Sequence, residues 1–189
     1  MSTRMPTFET ERLIVREYTP DDLESRHRLM VEAFGGKLPR RETQSWLDWT
    51  VASYRELGRL YQPPYGDRAV ILRESDTTIG SVGVVPSVIP WGALHGDPDS
   101  TLSPEIGLFW AILPDHWGNG YAVEATRPLV EYLFTQFKAS RVVATTEHDN
   151  YASQRVMEKL GMTIKRNPGE NPGWFQVIGM LSAPGQSSS

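Results

Sequence analysis

The sequence predicts an α/β domain in which helices flank a mixed β-sheet. Strand-like and helix-like segments alternate along the chain, two apolar runs flank a short polar turn, and an apolar strand leads through a glycine-rich turn into a long amphipathic helix. The 189 residues, 39% hydrophobic and 22% charged, suit one soluble domain. We expect residues 1–182 to form that domain and residues 183–189 to be a disordered tail.

The first third of the chain predicts one strand followed by two helices. Leu13–Val15 is a short apolar run typical of a strand. Thr19-Pro20-Asp21-Asp22 indicates a helix start, since it combines a hydroxyl cap, an early proline and acids in the first turn. A second amphipathic helix carries Trp46 and Trp49, which we expect on its core face, and ends near Gly58.

The middle of the chain predicts three strands. Residues 68–73 and 79–85 flank a polar turn and indicate a β-hairpin. Residues 86–104 are rich in proline, glycine and aspartate and predict a long loop, which is more often functional than idle. Glu105–Leu113 is almost entirely apolar and predicts a buried central strand.

The last third predicts two helices and three strands. The helices are expected at about 121–137 and at 152–160, and the strands at 141–146, 162–166 and 174–181.

Composition excludes several classes of protein. The net charge of −4 argues against a general nucleic-acid binder. The absence of cysteine excludes disulfides, thiolate zinc sites, iron–sulfur clusters and a cysteine nucleophile. No apolar run is long enough to cross a membrane, and the N-terminal residues lack an apolar signal-peptide core. We therefore expect a cytoplasmic protein. No pair of histidines has metal-ligand spacing with carboxylate support, so we expect no metal site.

The segment PDHWGNGYAVEA, at 114–125, predicts an anion site. Gly118 and Gly120 allow a positive φ and a close approach of the backbone to a ligand. The first N–H groups of the following helix point into such a turn, where the helix dipole favours a phosphate or pyrophosphate. A purely structural turn is the alternative. The dinucleotide-binding fingerprint fails at Val123, and no P-loop Gly-Lys-Ser/Thr is present.

The segment NYASQRVMEKLGM, at 150–162, predicts a capped helix. Asn150 is a plausible N-cap and Gly161 a plausible C-cap, and capping alone would explain both residues.

Together these two segments resemble the GNAT superfamily of acyl-CoA-dependent N-acetyltransferases, and most closely its branch of ribosomal-protein N-terminal acetyltransferases. TERLIVRE (10–17) and EIGLFW (105–110) resemble the first and central strands of that branch. The resemblance implies a mostly antiparallel mixed sheet, splayed between its fourth and fifth strands, with helices on both faces. It also implies direct transfer of an acetyl group from acetyl-CoA to a primary amine, without a covalent enzyme intermediate.

The resemblance also implies contacts with the co-substrate acetyl-CoA. Asn150 and Ser153 would contact the pantetheine or lie beside the thioester. The pantetheine arm would pair with the strand end at Ala111, Ile112 and Leu113. The pyrophosphate would lie on backbone N–H groups of Trp117, Gly118, Asn119, Gly120, Tyr121 and Ala122.

Transfer to an amine needs a base, a donor to the developing oxyanion and an acid for the leaving thiolate. The resemblance favours Glu105 as the base, with a solvated strand-end carboxylate as the alternative. It favours Ser153 as the acid, with a first-turn serine of no catalytic role as the alternative. Tyr121 and Tyr151 are rival acids. His95, His116 and His148 are minor candidates, because a lone histidine is more often a surface group.

Charge distribution bears on the acceptor. Residues 74–126 contain seven acids and no lysine or arginine, where the chain average would give about 5 basic residues. With Asp97 and Asp99 in the predicted loop, this favours a cationic acceptor, either a protein N-terminus or a small amine. Trp91 could line the acceptor site together with Trp46 and Trp49.

Two other functions stay open. A non-catalytic acyl-CoA-binding module would keep the glycine turn without turnover, and a nucleotide-binding protein would bind ATP or NAD through it. A homodimer is compatible with the resemblance, because many relatives pair.

Overall fold

The computed structural model describes residues 4–97, 99, 101–169 and 171–185. Its described elements are, in chain order, β1 (Phe8–Glu9), β2 (Leu13–Glu17), α1 (Leu23–Phe34), α2 (Arg40–Arg59), β3 (Gly66–Leu72), β4 (Thr77–Ile89), β5 (Ser103–Ile112), α3 (Tyr121–Thr135), β6 (Arg141–Thr146), α4 (Tyr151–Leu160), β7 (Thr163–Arg166) and β8 (Val177–Ser182). The strands form one mixed sheet in the order β1-β2-β3-β4-β5-β6-β8-β7. The predicted α/β class is therefore confirmed.

The chain divides into two compact units. The first comprises residues 4–84 together with Phe109–Tyr132, and the second comprises Val85–Leu108 together with residues 133–185. Strands β4 and β5 each contribute residues to both units.

In the first unit, the helix predicted to start at Thr19-Pro20 begins as a 3₁₀ turn, and α1 itself starts at Leu23. Pro20–Asp22 form a single 3₁₀ turn ahead of α1, and the backbone N–H of Thr19 donates to the Asp22 carboxylate at 2.7 Å. Gly35 ends the helix with a φ of 65°, a conformation that glycine adopts at little cost.

The core of the first unit lies against an antiparallel ladder of β2, β3 and β4. The predicted hairpin is β3–β4 and is confirmed. Side chains of α2, β2 and β3 bury one face, with Tyr18, Leu47, Ala69 and Ile71 in a single apolar cluster. Trp46 packs against this cluster, but Trp49 is 62% exposed, so the expectation that both tryptophans face the core is wrong. Three residues turn a helix by about 300°, which leaves Trp49 about 60° away from Trp46.

In the second unit, β6 pairs along its whole length with β8, and β8 pairs with β7, both antiparallel. Ile89, Ala93, Val143, Phe175 and Ile178 form a buried cluster in this unit. The predicted fourth and fifth strands are β5 and β6. They run parallel, and Gly107↔Val143 is their one registered pair among the described residues, as a splayed sheet requires.

Most predicted boundaries shift by one or two residues, and three segments differ more clearly from the sequence prediction. The short strand β1 was not predicted, because two residues carry no periodicity. The predicted loop 86–104 is shorter, since β4 continues to Ile89, Trp91–His95 form a 3₁₀ turn and β5 begins at Ser103. The composition of 86–104 suggested a loop from Pro86 onward, but Pro86 lies two residues past Val84, where the registered pairing of β4 with β3 ends, so its missing N–H removes no hydrogen bond from that ladder. The strand predicted at 174–181 begins only at Val177, after a 3₁₀ turn at Gly173–Phe175.

Some predicted positions lie outside the described residues, namely 98 and 100 of the loop and 186–189 of the tail. At the beginning of the predicted tail, the N–H of Ala183 donates to the carbonyl of Ser140 at 2.8 Å.

Candidate active site

In the first unit, the glycine-rich turn joins β5 to α3. Pro114–His116 form a 3₁₀ turn, and α3 begins at Tyr121. Gly118 and Gly120 have φ values of 80° and 81°. A Cβ at Gly118 would meet no atom within 4 Å. Glycine is therefore required at this position by backbone conformation rather than by crowding, and the space beside it is open.

The backbone N–H groups of this turn divide into two sets. The N–H of Trp117 donates to the carbonyl of Pro114 at 3.0 Å, so it is not available to a ligand. For residues 118–122, no hydrogen-bond acceptor is found within the part of the chain that the structure describes. Because helix N-termini leave such donors unpaired, an anion at this turn would satisfy them. Among the residues 117–122 predicted to contact the pyrophosphate, those at 118–122 thus have backbone N–H groups without an acceptor among the described residues.

The side chain of Asn119 braces the turn from within. Its Nδ2 donates to the carbonyls of His116 at 3.2 Å and Trp117 at 3.1 Å. Asn119 therefore has its backbone N–H, rather than its side-chain amide nitrogen, left to donate to an anion.

The end of β5 shows which backbone groups can pair with a ligand. The N–H of Leu113 donates to the carbonyl of Ile79 in β4, and the carbonyl of Ala111 lies against Gly80 of the same strand. Because successive residues of a strand direct their backbone groups to opposite edges, Ile112 directs its own away from β4. Its carbonyl accepts a hydrogen bond from the indole Nε1 of Trp117 at 2.6 Å. Of Ala111, Ile112 and Leu113, only Ile112 therefore offers its backbone N–H on the edge away from β4.

In the second unit, Glu105 is the centre of an ionic cluster. Its Oε1 accepts from the indole Nε1 of Trp91 at 3.1 Å and from Nη2 of Arg141, and its Oε2 accepts from Nε of Arg141 at 2.8 Å. The guanidinium of Arg141 also lies 4.8 Å from the centre of the Trp91 ring. Hydrogen bonding to Glu105 raises the pKa of Arg141. Glu105 is thus a paired, 7% exposed carboxylate rather than a solvated strand end.

The start of α4, also in the second unit, shows the predicted cap. The side-chain oxygen of Asn150 accepts a hydrogen bond from the backbone N–H of Ser153 at 3.1 Å. Tyr151 is 66% exposed. The backbone N–H of His148 donates to the side chain of Gln176 at 2.8 Å, which ties the turn before α4 to the segment before β8.

The described residues contain no cluster of three or more histidine, cysteine, aspartate or glutamate side chains suited to hold a metal ion. None of their helices combines the length and apolarity needed to span a membrane.

A family model for an acetyltransferase (GNAT) domain matches residues 12–163, which include both units' elements from β2 to the start of β7. The chain belongs to the GNAT acetyltransferase family. This confirms the family that the two sequence segments indicate.

Individual GNAT proteins extend the comparison. The chain is 29% identical to YoaA, an uncharacterized N-acetyltransferase of Bacillus subtilis, over 157 residues, covering 82% of each chain. The crystal structure of an acetyltransferase from Agrobacterium tumefaciens superposes with a TM-score of 0.69 at 22% identity, covering 94% of each chain. RimL, a ribosomal-protein α-N-acetyltransferase solved with coenzyme A, superposes with a TM-score of 0.69 at 11% identity, covering 96% of this chain and all of RimL. At these identities the two structures show the fold alone.

The GNAT structure also pairs several acids that the sequence left unpaired. Glu105 binds Arg141, Glu124 binds Arg12 at 2.6 Å, and Asp115 lies 3.7 Å from Arg28. The acidic surplus of residues 74–126 is thus partly neutralised by arginines from other segments.

Sequence reasoning missed Arg141 and Arg12, because each lies far along the chain from its acid. The sequence feature that could have drawn attention to Arg12 was its position in TERLIVRE (10–17), one of the segments that resemble the family.

Proposed function

We propose that this protein is an N-acetyltransferase that transfers the acetyl group of acetyl-CoA directly to a primary amine. The glycine turn of the first unit carries the proposal. Its N–H groups at 118–122 have no acceptor among the described residues, and its two positive-φ glycines leave the backbone open to a ligand. Membership of the GNAT family supports the choice of acetyl-CoA over other phosphate ligands.

Backbone groups of the turn and of the end of β5 suit two successive parts of the co-substrate. The pyrophosphate would accept hydrogen bonds from the N–H groups of residues 118–122, with the dipole of α3 adding to the attraction. The pantetheine arm would pair with the backbone N–H of Ile112, which faces away from β4. Contacts from Asn150 and Ser153 stay predictions of the family resemblance.

The transfer balances without an oxidant or a second cofactor. The amine loses a proton, its nitrogen bonds to the thioester carbonyl carbon, the carbon–sulfur bond breaks, and the sulfur leaves as a thiolate that takes up a proton. We propose Glu105 as the base, acting through a water because both its oxygens already accept hydrogen bonds. Ser153 is the proposed acid.

The acceptor is proposed only as a class. A cationic primary amine fits the acids at 97 and 99, and either a protein N-terminus or a small amine satisfies that description. RimL acts on the α-amine of a ribosomal protein, which supports the first of these. We propose a cytoplasmic location and a single domain over residues 1–182, while a homodimer stays a prediction of the family resemblance.

Isothermal titration of the purified protein with acetyl-CoA, CoA, ATP and NAD tests the co-substrate. We expect micromolar binding of acetyl-CoA, with CoA close behind and no heat from ATP or NAD. Binding of ATP or NAD without CoA would instead support a nucleotide-binding protein. An absence of binding to either CoA species would make the glycine turn a structural feature and remove the proposal.

A non-catalytic acyl-CoA-binding module is the second candidate, and the full engagement of the Glu105 carboxylate favours it. Thiol release from acetyl-CoA, measured over a panel of primary amines, separates the two. For an enzyme, Glu105→Gln should bind acetyl-CoA like the wild type while turnover falls by roughly 100-fold, and Ser153→Ala should also lower turnover. If no amine releases thiol above background while acetyl-CoA still binds, the binding module is correct.

A further inference from the structure

The turn between β1 and β2 is fastened to the first turn of α3 by one carboxylate. Oε1 of Glu124 accepts from the hydroxyl of Thr10 at 2.6 Å and from the backbone N–H of Arg12 at 2.9 Å. Oε2 accepts from Nε of Arg12 at 2.8 Å. These contacts join segments more than 110 residues apart, and no step of acetyl transfer described above uses them.

Arg12 continues from Glu124 to the glycine turn itself. Its Nη2 donates to the backbone carbonyl of Asn119 at 3.1 Å, and its guanidinium lies 4.5 Å from the centre of the Tyr121 ring. Arg12 thus holds the carbonyl that lies between the two positive-φ glycines.

The orientation of that carbonyl decides where the next N–H points. A trans peptide is planar, so the Asn119 carbonyl and the Gly120 N–H point in opposite directions. Glycine tolerates positive and negative φ almost equally, so a peptide between Gly118 and Gly120 can flip at little cost. Because Arg12 holds the carbonyl on its own side, the Gly120 N–H is kept on the opposite side, where no protein acceptor competes for it among the described residues.

Arg12 acts on the turn through its hydrogen bonds rather than through its charge. The ion pair with Glu124 at 2.6 Å balances that charge locally. The planar guanidinium places several donors at fixed angles, so its Nε can donate to Glu124 while its Nη2 donates to the Asn119 carbonyl.

We propose that Arg12 is a positioning residue that locks the 119–120 peptide in the orientation that binds the pyrophosphate of CoA, with Glu124 holding Arg12 in place. This rests on the proposed function, because it takes CoA as the ligand of the turn.

The test compares Arg12→Met with Arg73→Met. Nη1 of Arg73 donates to the carbonyl of Thr10 at 2.7 Å, so the control removes a hydrogen bond to the same β1–β2 turn without reaching the glycines. Titration calorimetry with CoA should show roughly tenfold weaker binding for Arg12→Met and unchanged binding for Arg73→Met, the size expected for one lost positioned donor. Arg12→Lys, which cannot fork, should recover only part of the affinity.

An acetyl donor without phosphates distinguishes a loss of the positioned Gly120 N–H from a general destabilisation of the first unit. S-acetyl-pantetheine lacks the pyrophosphate, so kcat/KM for it should be the same in Arg12→Met as in the wild type, while kcat/KM for acetyl-CoA falls. Equal losses with both donors, equal losses in both arginine variants, or wild-type CoA affinity in Arg12→Met would each overturn the proposal. Failure of the wild type to bind CoA would instead overturn the proposed function, which the same titration reports separately.

Discussion

At the scale of single residues, Asp22 shows how a buried carboxylate can organise a chain segment. Its two oxygens accept from both terminal nitrogens of Arg16, at 2.7 and 2.8 Å, and from the N–H and hydroxyl of Thr19. Burial alone would raise the pKa of Asp22, but the hydrogen bonds from Arg16 and Thr19 outweigh it and lower the pKa. The carboxylate therefore stabilises the fold in its ionised form.

Asp22→Asn should lower the free energy of unfolding at pH 7 by about 1–3 kcal/mol, because Arg16 loses a charged partner. A lowered folded-state pKa contributes stability above the unfolded pKa, near 4, and that contribution is lost as the pH falls toward the folded value. Urea unfolding of both proteins should thus show a gap that narrows between about pH 5 and pH 3. The exposed neighbour change Asp21→Asn is the control and should cost little at either pH. A gap independent of pH would contradict the assignment.

Glu105 shows where residue-level prediction stops. The sequence placed it correctly near the start of a central strand, but its partners Trp91 and Arg141 lie 14 and 36 positions away. Only the pairing of β5 with β6 brings Arg141 beside it, and periodicity within one segment carries no information about that neighbour.

At the scale of elements, a tyrosine joins α2 to the sheet of the first unit. The hydroxyl of Tyr54 donates to the carbonyl of Asp67 at the start of β3 and accepts from the N–H of Tyr18 after β2 at 3.0 Å. Burial raises the pKa of Tyr54. The hydroxyl thus remains a neutral donor at physiological pH.

Tyr54→Phe should cost about 1–3 kcal/mol of unfolding free energy, since it leaves the Tyr18 N–H and the Asp67 carbonyl without their partner. Chemical denaturation at neutral pH measures the loss. Tyr61→Phe is a matched control, because Tyr61 is 85% exposed, and it should be nearly neutral. Equal stability of the two variants would show that water replaces the hydroxyl.

Elements with strong local signals were predicted well. Helices α3 and α4 begin within one residue of their expected starts, because a glycine turn and an asparagine cap mark them. Strand β4 was predicted too short, because Pro86 opens a segment rich in proline, glycine and aspartate, a composition typical of a loop. In the structure, Pro86 lies beyond Val84, the last β4 residue paired with β3, so a residue without an N–H is tolerated there.

At the scale of the whole molecule, charge is unevenly distributed. Arginines from other segments pair Glu105, Glu124 and Asp115, so the acidic surplus of residues 74–126 is smaller than the sequence suggests. Asp97 and Asp99 are the acids that the proposal for a cationic acceptor still uses.

Asp97→Asn combined with Asp99→Asn should raise the acceptor KM several-fold with little change in kcat, because the charges attract the amine without taking part in transfer. Initial rates with a polyamine and with a short peptide bearing a free α-amino group measure this. The effect should shrink at high salt, since exposed charges are screened. Glu74→Gln with Asp76→Asn, in the β3–β4 turn, removes the same charge as a control. An unchanged KM for both amines would remove the idea.

The contact of Glu124 with Arg12 spans 112 residues of sequence, although the turn that it braces is only a few residues long. Closing so long a loop delays a contact during folding, because chain entropy must be lost before the contact forms. We therefore expect the glycine turn to acquire its final orientation late, after β1, β2 and α3 have come together. A fragment carrying only β5, the turn and α3 would keep the sequence of segment 114–125, but without Arg12 we expect it to lack the fixed orientation of the 119–120 peptide.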